Sequence, residues 1–225
     1  MKTPFLGIVF DMDGVLIDSE PIVKRCGQIA AERYGAELSD RLYNQLIGLP
    51  AKQVEQGLQA AFGAEFPMQE FRIELERLWH EHVHSHGMPV KPGVESILGL
   101  LQDHTVPYAI ATSTPHERAQ LSLAKAGILD HFDVIVGGDQ VANGKPAPEI
   151  FLTAAERIFT EASACIAIED SAVGVNAAFN AGMHTIMIPD QKQPDEATMQ
   201  HVKELFESMH DALPRILELL GRHNQ

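Results

Sequence analysis

Phe5-Leu-Gly-Ile-Val-Phe-Asp-Met-Asp-Gly-Val-Leu-Ile-Asp-Ser-Glu-Pro21 is the stretch from which the rest of the chain is read. Leu6 to Phe10 form an apolar run, interrupted only by Gly7, as in a strand buried on both faces. The run ends in two carboxylates, Asp11 and Asp13, and then Gly14. In an open parallel sheet, ligands bind outside the carboxyl ends of the strands, so both acids stand where chemistry is expected. Residues two apart in extended backbone point to the same side. Two like charges held that close repel unless a cation or a proton intervenes. The simpler alternative is a polar strand end running into a turn.

Beyond this strand the pattern is helical. Ser19-Glu20-Pro21 has the form of a helix start, with Ser19 as N-cap and a proline in the first turn. The spacing then predicts helices over 22–34, 39–47, 51–62 and 68–84, with breaks at Gly35, Gly48-Leu49-Pro50 and Gly63. Gly87-Met-Pro-Val-Lys-Pro-Gly93 is dense in turn residues and has the character of a hinge. From residue 94 helices alternate with short apolar runs at 107–112, 133–136, 164–168 and 184–188. A short helix, an edge strand near Leu205-Phe206 and a last helix from Ala212 complete the chain. Such alternation implies βαβ units and a parallel sheet covered on both faces. The expectation is an α/β, Rossmann-like core formed by 1–17 and 88–225, with a small all-helical domain, 18–87, inserted as a cap.

Composition narrows the function. Lys and Arg number 17 against 31 Asp and Glu, a net charge of −14, which argues against nucleic acid as a partner because such binding relies on neutralising phosphates. It does not exclude a small phosphorylated substrate, for which one local cation overrides the global sign. Cys26 and Cys165 lie in apolar patterns without metal spacing, as expected of reduced, buried thiols in a cytoplasmic protein. The first apolar run stops at Asp11, too early for a signal peptide, and no stretch reaches the length of a membrane span.

The later strands also end in polar residues. The run 107–112 ends in Thr112-Ser113-Thr114, and 164–168 in Glu169-Asp170-Ser171. Asn143-Gly-Lys-Pro-Ala-Pro148 places Lys145 between Gly144 and Pro146 just before a helix. With the first strand central and the other two beside it, carboxylates, a lysine and a hydroxyl converge on one crevice. That set suits phosphoryl transfer. At about 4 Å and an effective dielectric near 20, each like-charge pair between phosphate and aspartate costs about 4 kcal/mol. A Mg²⁺ on oxygen ligands and a lysine ammonium offset that repulsion.

These residues carry a family resemblance. Phe10-Asp-Met-Asp-Gly-Val-Leu-Ile-Asp-Ser19 resembles the first motif of the haloacid dehalogenase-like hydrolases. Ala111-Thr112-Ser113 resembles the second, Gly144-Lys145-Pro146 the third and Ile168-Glu169-Asp170 the fourth, in the same order along the chain. The resemblance implies Asp11 as nucleophile and metal ligand. It implies Asp13 as general acid and base, with its backbone carbonyl on Mg²⁺, and Thr112 and Lys145 as holders of the phosphoryl group. Asp170 would be a metal ligand, with Glu169 supporting it directly or from behind, while Ser113 and Gly14 would offer donors to substrate. Family dehalogenases lack the second acid, so the resemblance points to phosphate esters of small metabolites, of sugar-phosphate or nucleoside-monophosphate type, hydrolysed by a monomer.

The helical insert resembles the family's cap, and Gly48-Leu49-Pro50-Ala51-Lys52 its specificity loop, with Lys52 as the nearby cation. Relatives of the β-phosphoglucomutase type carry a histidine ten positions after the second aspartate; Val23 stands there, which disfavours a phosphosugar mutase. A non-catalytic phosphometabolite-binding protein is a third reading, but binding alone has no need of Asp13. Several residues have simpler explanations. Asp18 and Glu20 would contact substrate or merely belong to a turn or helix cap. His80, His82, His84 and His86 have ligand spacing, yet a polar helix end before the hinge accounts for them. Thr114 and His116 would line the pocket, or Thr114 would cap the helix beginning near Pro115. Trp79 is read as buried in or under the cap, and Cys165 as strand packing.

Overall fold

The structure, a computed structural model, describes residues 4–49 and 51–221. The chain divides into two compact units: one contains the N-terminal residues up to Ile17 and everything from Pro89 onward, the other Asp18–Met88.

The first unit is built on six parallel strands: β1 (Gly7–Phe10), β2 (Tyr108–Ala111), β3 (Ile135–Val136), β4 (Cys165–Glu169), β5 (His184–Met187) and β6 (Glu204–Leu205). Their order is β3-β2-β1-β4-β5-β6, so the strand order reverses between β1 and β4. That reversal opens a crevice at the carboxyl ends, where doubly wound sheets place their ligands. Register sets which side chains share a face: Val9 pairs with Ala109 and Ala167, and Phe10 with Ile110 and Ile168. Val9, Ala109, Ala111, Cys165 and Ala167 form one core face together with Ile150, Phe151, Ala154, Ala177 and Ala178. The last five belong to the helices α7 (Glu149–Arg157) and α8 (Ala172–Asn180). Alanines at the centre let those helices approach closely. By alternation the bulky Ile8, Phe10, Ile110, Ile166 and Ile168 point to the other face, and all five are fully buried. The remaining helices of this unit are α5 (Val94–Asp103), α6 (His116–Ala126), α9 (Glu196–Met199) and α10 (Met209–Leu219).

The chain leaves this unit after Ile17 and returns at Pro89. Exit and return run side by side: Ile17 forms an antiparallel bridge with Val90, and the Lys91 N–H donates to the Leu16 carbonyl at 2.9 Å.

The second unit contains α1 (Glu20–Arg33), α2 (Asp40–Leu46), α3 (Ala51–Phe62) and α4 (Met68–His86). Its core combines Ala30, Ala31, Leu38, Leu46, Leu58, Met68 and Phe71. Phe62, Phe66 and Phe71 form an aromatic triangle with centroids 4.6–6.1 Å apart. Ser39 caps α2, its hydroxyl accepting from the Leu42 N–H at 3.2 Å. Ser19 occupies the N-cap position of α1 but makes no side-chain cap, a departure from the sequence expectation. Its backbone is already helical there, whereas a capping hydroxyl requires extended backbone. Trp79 is fully buried. Pro50, part of the expected break after α2, lies outside the described residues.

Both cysteines are free and buried, and burial pushes the Cys165 thiol up to about 12. Among the described residues no helix is long and apolar enough to cross a membrane. Phe151 is fully buried between α7 and the sheet. Phe151→Ala should therefore destabilise the protein by about 3–5 kcal/mol, the cost of emptying an aromatic core position. Urea unfolding checks this, and a loss below about 1 kcal/mol would contradict the packing described.

Candidate active site

The ladder continues one residue past each central strand and so fixes the site residues. The Asp11 N–H donates to Ile168 O at 2.9 Å, and the Thr112 N–H to Val136 O at 3.0 Å. Asp11, Thr112 and Glu169 are nearly inaccessible, at 7, 1 and 1 % exposure. Lys145 arrives from the loop before α7. Its ammonium donates to Asp11 Oδ1 at 2.5 Å and to Glu169 Oε1 at 2.6 Å, and it sits 5.0 Å from the centre of the Phe151 ring.

Glu169 is anchored from behind. Its Oε2 accepts from the Asp170 N–H at 3.0 Å, the Ser171 N–H at 3.1 Å and the Ser171 hydroxyl at 3.0 Å. Ser171 is at the same time the N-cap of α8, accepting from the Gly174 N–H at 3.1 Å. A carboxylate at a helix N-terminus is favoured by unpaired N–H groups and the helix dipole. A Cβ at Gly174 would overlap the Glu169 carboxyl, so glycine there makes room for the acid.

Asp13 is held by two hydroxyls: Thr114 Oγ1 donates to its Oδ2 at 2.8 Å, and Thr112 Oγ1 makes a longer contact at 3.4 Å. Thr114 is therefore not a helix cap. Pro115 occupies the N-cap of α6 without a side-chain cap. Instead Asp139 Oδ1 accepts from the His116 N–H at 2.7 Å. The turn after β3 forms the bed for this loop. Gly138 donates to Thr114 O at 3.1 Å, and a Cβ at Gly137 or Gly138 would strike the backbone of His116 or Ser113. Gly137-Gly138-Asp139 is the stretch of sequence that could have marked this bed, and the sequence reading did not use it; the strand before it is only two residues long.

Gly14 requires correction as well. It has φ +81°, and its N–H donates to Ile17 O at 2.9 Å, so this donor is used within the turn and is not offered to substrate. What Gly14 supplies is space, because a Cβ there would collide with the Asp170 carboxylate. The same neighbourhood contains Asp190, which sequence reasoning passed over. Its Oδ1 accepts from Lys91 Nζ at 2.5 Å, and its charge acts on Asp170. Ser113 lies at the surface, with its carbonyl against Gly138.

Glu20 and Lys52 belong to the helical unit. The Tyr43 hydroxyl donates to Glu20 Oε2 at 2.5 Å; burial first and then this carboxylate push the Tyr43 phenol up. Lys52 is exposed in the first turn of α3.

The acidic cluster has the composition of a cation site. Asp11, Glu169 and Asp170 each offer an oxygen within 4.8 Å of the others. Burial pushes the Asp11 carboxyl up to about 8, with Glu169 and Asp13 adding to the rise and Lys145 opposing it. Asp170 is raised too, by burial and then by Glu169 and Asp11. Burial alone would lower the Lys145 ammonium, but Asp11 and Glu169 outweigh it and keep the group protonated. One ammonium does not neutralise three adjacent carboxyls, two buried and one half-buried, so the cluster retains a proton or takes up a cation. An all-oxygen donor set of this kind suits a hard divalent ion.

Residues 8–188 match the haloacid dehalogenase-like hydrolase family. The "Phosphorylated carbohydrates phosphatase" of Thermotoga maritima is 35% identical over 181 residues, covering 80% of this chain and 82% of the relative. A "Probable pseudouridine-5'-phosphatase" of Drosophila melanogaster is 31% identical over 212 residues, covering 92% and 90%. The crystal structure of a HAD family hydrolase from Deinococcus radiodurans, with bound phosphate and sodium, superposes with a TM-score of 0.80 at 25% identity, covering 99% of this chain and all of that one. With four motifs converging at one sheet edge and a match spanning most of its length, this chain belongs to the haloacid dehalogenase-like hydrolase family.

Proposed function

We propose that the protein is a Mg²⁺-dependent phosphatase, monomeric and cytoplasmic, acting on a small phosphorylated metabolite through an aspartyl-phosphate on Asp11. The observation that carries this reading is the Lys145 ammonium between Asp11 and Glu169, beside an Asp13 gripped by two threonine hydroxyls. The names of the relatives support phosphate esters of sugars or nucleosides as the substrate class.

In this reading Asp11 and Asp170, with the backbone carbonyl of Asp13, hold the Mg²⁺. When bound, that ion neutralises carboxylate and phosphate charge and so lets the two anions approach. Glu169 serves mainly to fix Lys145. Lys145 and Thr112 orient the phosphoryl oxygens. Asp11 attacks phosphorus, the bond from phosphorus to the ester oxygen breaks, and Asp13 gives its proton to the departing alkoxide. Asp13, now a carboxylate, removes a proton from water as that water attacks the aspartyl-phosphate. The new phosphorus–oxygen bond forms, Asp11 leaves as carboxylate, and inorganic phosphate is released. Thr114 holds Asp13 at the angle both proton transfers require. The helical unit Asp18–Met88 serves as the cap that selects the organic part of the substrate, with Glu20 and Lys52 as candidate contacts.

The primary test is phosphate release from a panel of hexose phosphates, deoxyhexose phosphates, nucleoside monophosphates, pseudouridine monophosphate, phosphoglycolate and glycerol phosphate, with Mg²⁺ and with EDTA. Metal-dependent release from one or a few members is expected, and Asp11→Asn should abolish it with the fold intact. A variant retaining a tenth of the rate would remove Asp11 from the nucleophile role. Conversion of β-glucose-1-phosphate to glucose-6-phosphate without release would indicate a mutase instead. A substrate bound but never turned over would indicate a binding protein.

Thr114→Val should lower kcat about 10- to 100-fold with little change in KM, the worth of a hydrogen bond to a charged group. An unchanged kcat would leave Thr114 without a role.

Metal binding should depend on pH with a defined sign. Asp11 and Asp170 have raised pKa values in the metal-free protein, so at low pH the ion must displace protons. Apparent Mg²⁺ affinity should rise by up to about tenfold per pH unit for each proton released. The Mg²⁺-induced increase in Tm should accordingly be larger at pH 8 than at pH 6, and equal increases would contradict the shifts.

A further inference from the structure

Lys91 and Asp190 form an ion pair that the phosphatase reading does not use. Lys91 Nζ donates to Asp190 Oδ1 at 2.5 Å, and the two side chains are 23 and 6 % exposed. A pair this far withdrawn from water acts more strongly on charged neighbours than an exposed one. Both partners are also fixed in place. The Lys91 N–H donates to Leu16 O at 2.9 Å, and its carbonyl accepts from the Val94 N–H at 3.3 Å as α5 begins. Asp190 is carried by the end of β5, whose Met187 is in register with Glu169. The Ile188 N–H extends that ladder by donating to Glu169 O at 2.8 Å. Gln191 Nε2 donates to Asp190 Oδ2 at 3.0 Å.

The charged neighbour of this pair is Asp170. Strands β4 and β5 are adjacent and parallel, so Asp170 and Asp190 leave the sheet at the same edge. Both stand against Gly14: a Cβ there would lie 2.4 Å from Asp170 Oδ2 and 3.2 Å from Asp190 Cβ. Burial is the largest cause of the raised Asp170 pKa, and the Asp190 charge adds to it. A negative charge beside a carboxylate disfavours the bare anion and favours a cation in contact with it. The same charge would repel an approaching phosphate. Lys91, bonded to Asp190, offsets part of that field, so the site can take a cation without turning the phosphate away.

We propose that Asp190 and Lys91 are a charge pair that sets the Mg²⁺ affinity of the cluster formed by Asp11, Glu169 and Asp170. Asp190 strengthens cation binding at Asp170 without touching the ion, and Lys91 both holds Asp190 in place and moderates its charge. The inference rests on the reading of that cluster as the Mg²⁺ site. The competing explanation is a staple that only ties Lys91, where the chain returns, to the end of β5. The two differ in sign. Asp190→Asn and Lys91→Gln are close in shape to the original side chains and leave a donor facing an acceptor, so each alters mainly charge. Members of a charge pair shift cation affinity in opposite directions, whereas the two halves of a staple shift it in the same direction.

Calorimetric titration of the metal-free full chain with magnesium chloride, at pH 8 and low salt, reads the Kd without turnover. Asp190→Asn should weaken Mg²⁺ binding by at least about threefold, the scale of one unit charge acting on a divalent ion from about 8 Å in a medium close to water. Lys91→Gln should tighten it. The double variant should fall between the two single ones, because its two charge changes oppose each other. Lys91→Arg keeps the charge and should stay within about twofold of the unsubstituted protein. Circular dichroism should show the same helicity throughout. Weaker binding in both single variants, or no change in either, overturns the proposal and leaves the Mg²⁺ site standing. A loss in Lys91→Arg as large as in Asp190→Asn also assigns the pair to the staple. If the unsubstituted protein takes up no Mg²⁺, the reading of the cluster fails, and the proposal fails with it.

Discussion

One buried ammonium sets the terms for the catalytic unit. Lys145 reaches Asp11 on β1 and Glu169 on β4 at once, and it sits close above the ring of Phe151 on α7. Buried charges are costly unless paired and hydrogen-bonded, and removing one partner of such a group typically costs about 3–5 kcal/mol. Much of the surrounding sequence serves that requirement. Asp170 and Ser171, just before α8, supply donors to the far oxygen of Glu169, and Gly174 leaves space for it. The arrangement contributes position more than stability: a carboxylate held from both ends can hold a lysine at one point in space.

Asp13 is secured by different means. Threonine hydroxyls hold it, and they belong to a loop that rests on the backbone of the turn after β3. A group that exchanges protons needs neighbours that fix its direction without fixing its charge. Threonine hydroxyls meet that need, since each accepts as readily as it donates. Asp11 and Asp13, two residues apart, thus sit in environments of different kinds: an ammonium beside the first, threonine hydroxyls beside the second.

The order of the strands was legible because buried parallel strands write themselves as apolar runs, and polar residues at their ends stand out against that background. Asp11, Asp13 and Asp170 were visible for this reason, and Lys145 through its setting between Gly144 and Pro146 just before a helix. Thr114 was left between pocket and cap, because a threonine before a proline and a helical pattern has the local form of a cap, and only the tertiary fold turns it towards Asp13. Asp139 caps α6 from 23 residues away in sequence, and no local pattern encodes such a contact. Gly14 shows the complementary limit. Its need for positive φ could be suspected from a turn, but whether its N–H is spent inside that turn depends on where Ile17 O lies. Asp190 follows β5 as one acid in an acidic chain, and its closeness to Asp170 arises only from the neighbouring positions of β4 and β5.

The paired exit and return of the chain, with Ile17 bridged to Val90 and Leu16 to Lys91, has a consequence for how such proteins diversify. Antiparallel neighbours lie about 5 Å apart, a gap that a two-residue turn spans. The sheet therefore has no structural stake in the length of what is threaded between those points. A lineage could lengthen, shorten or exchange the intervening helices while every strand register and every contact around Lys145 stayed in place. Chemistry and selectivity would then be inherited separately, one conserved in the sheet and the other traded through a doorway two residues wide.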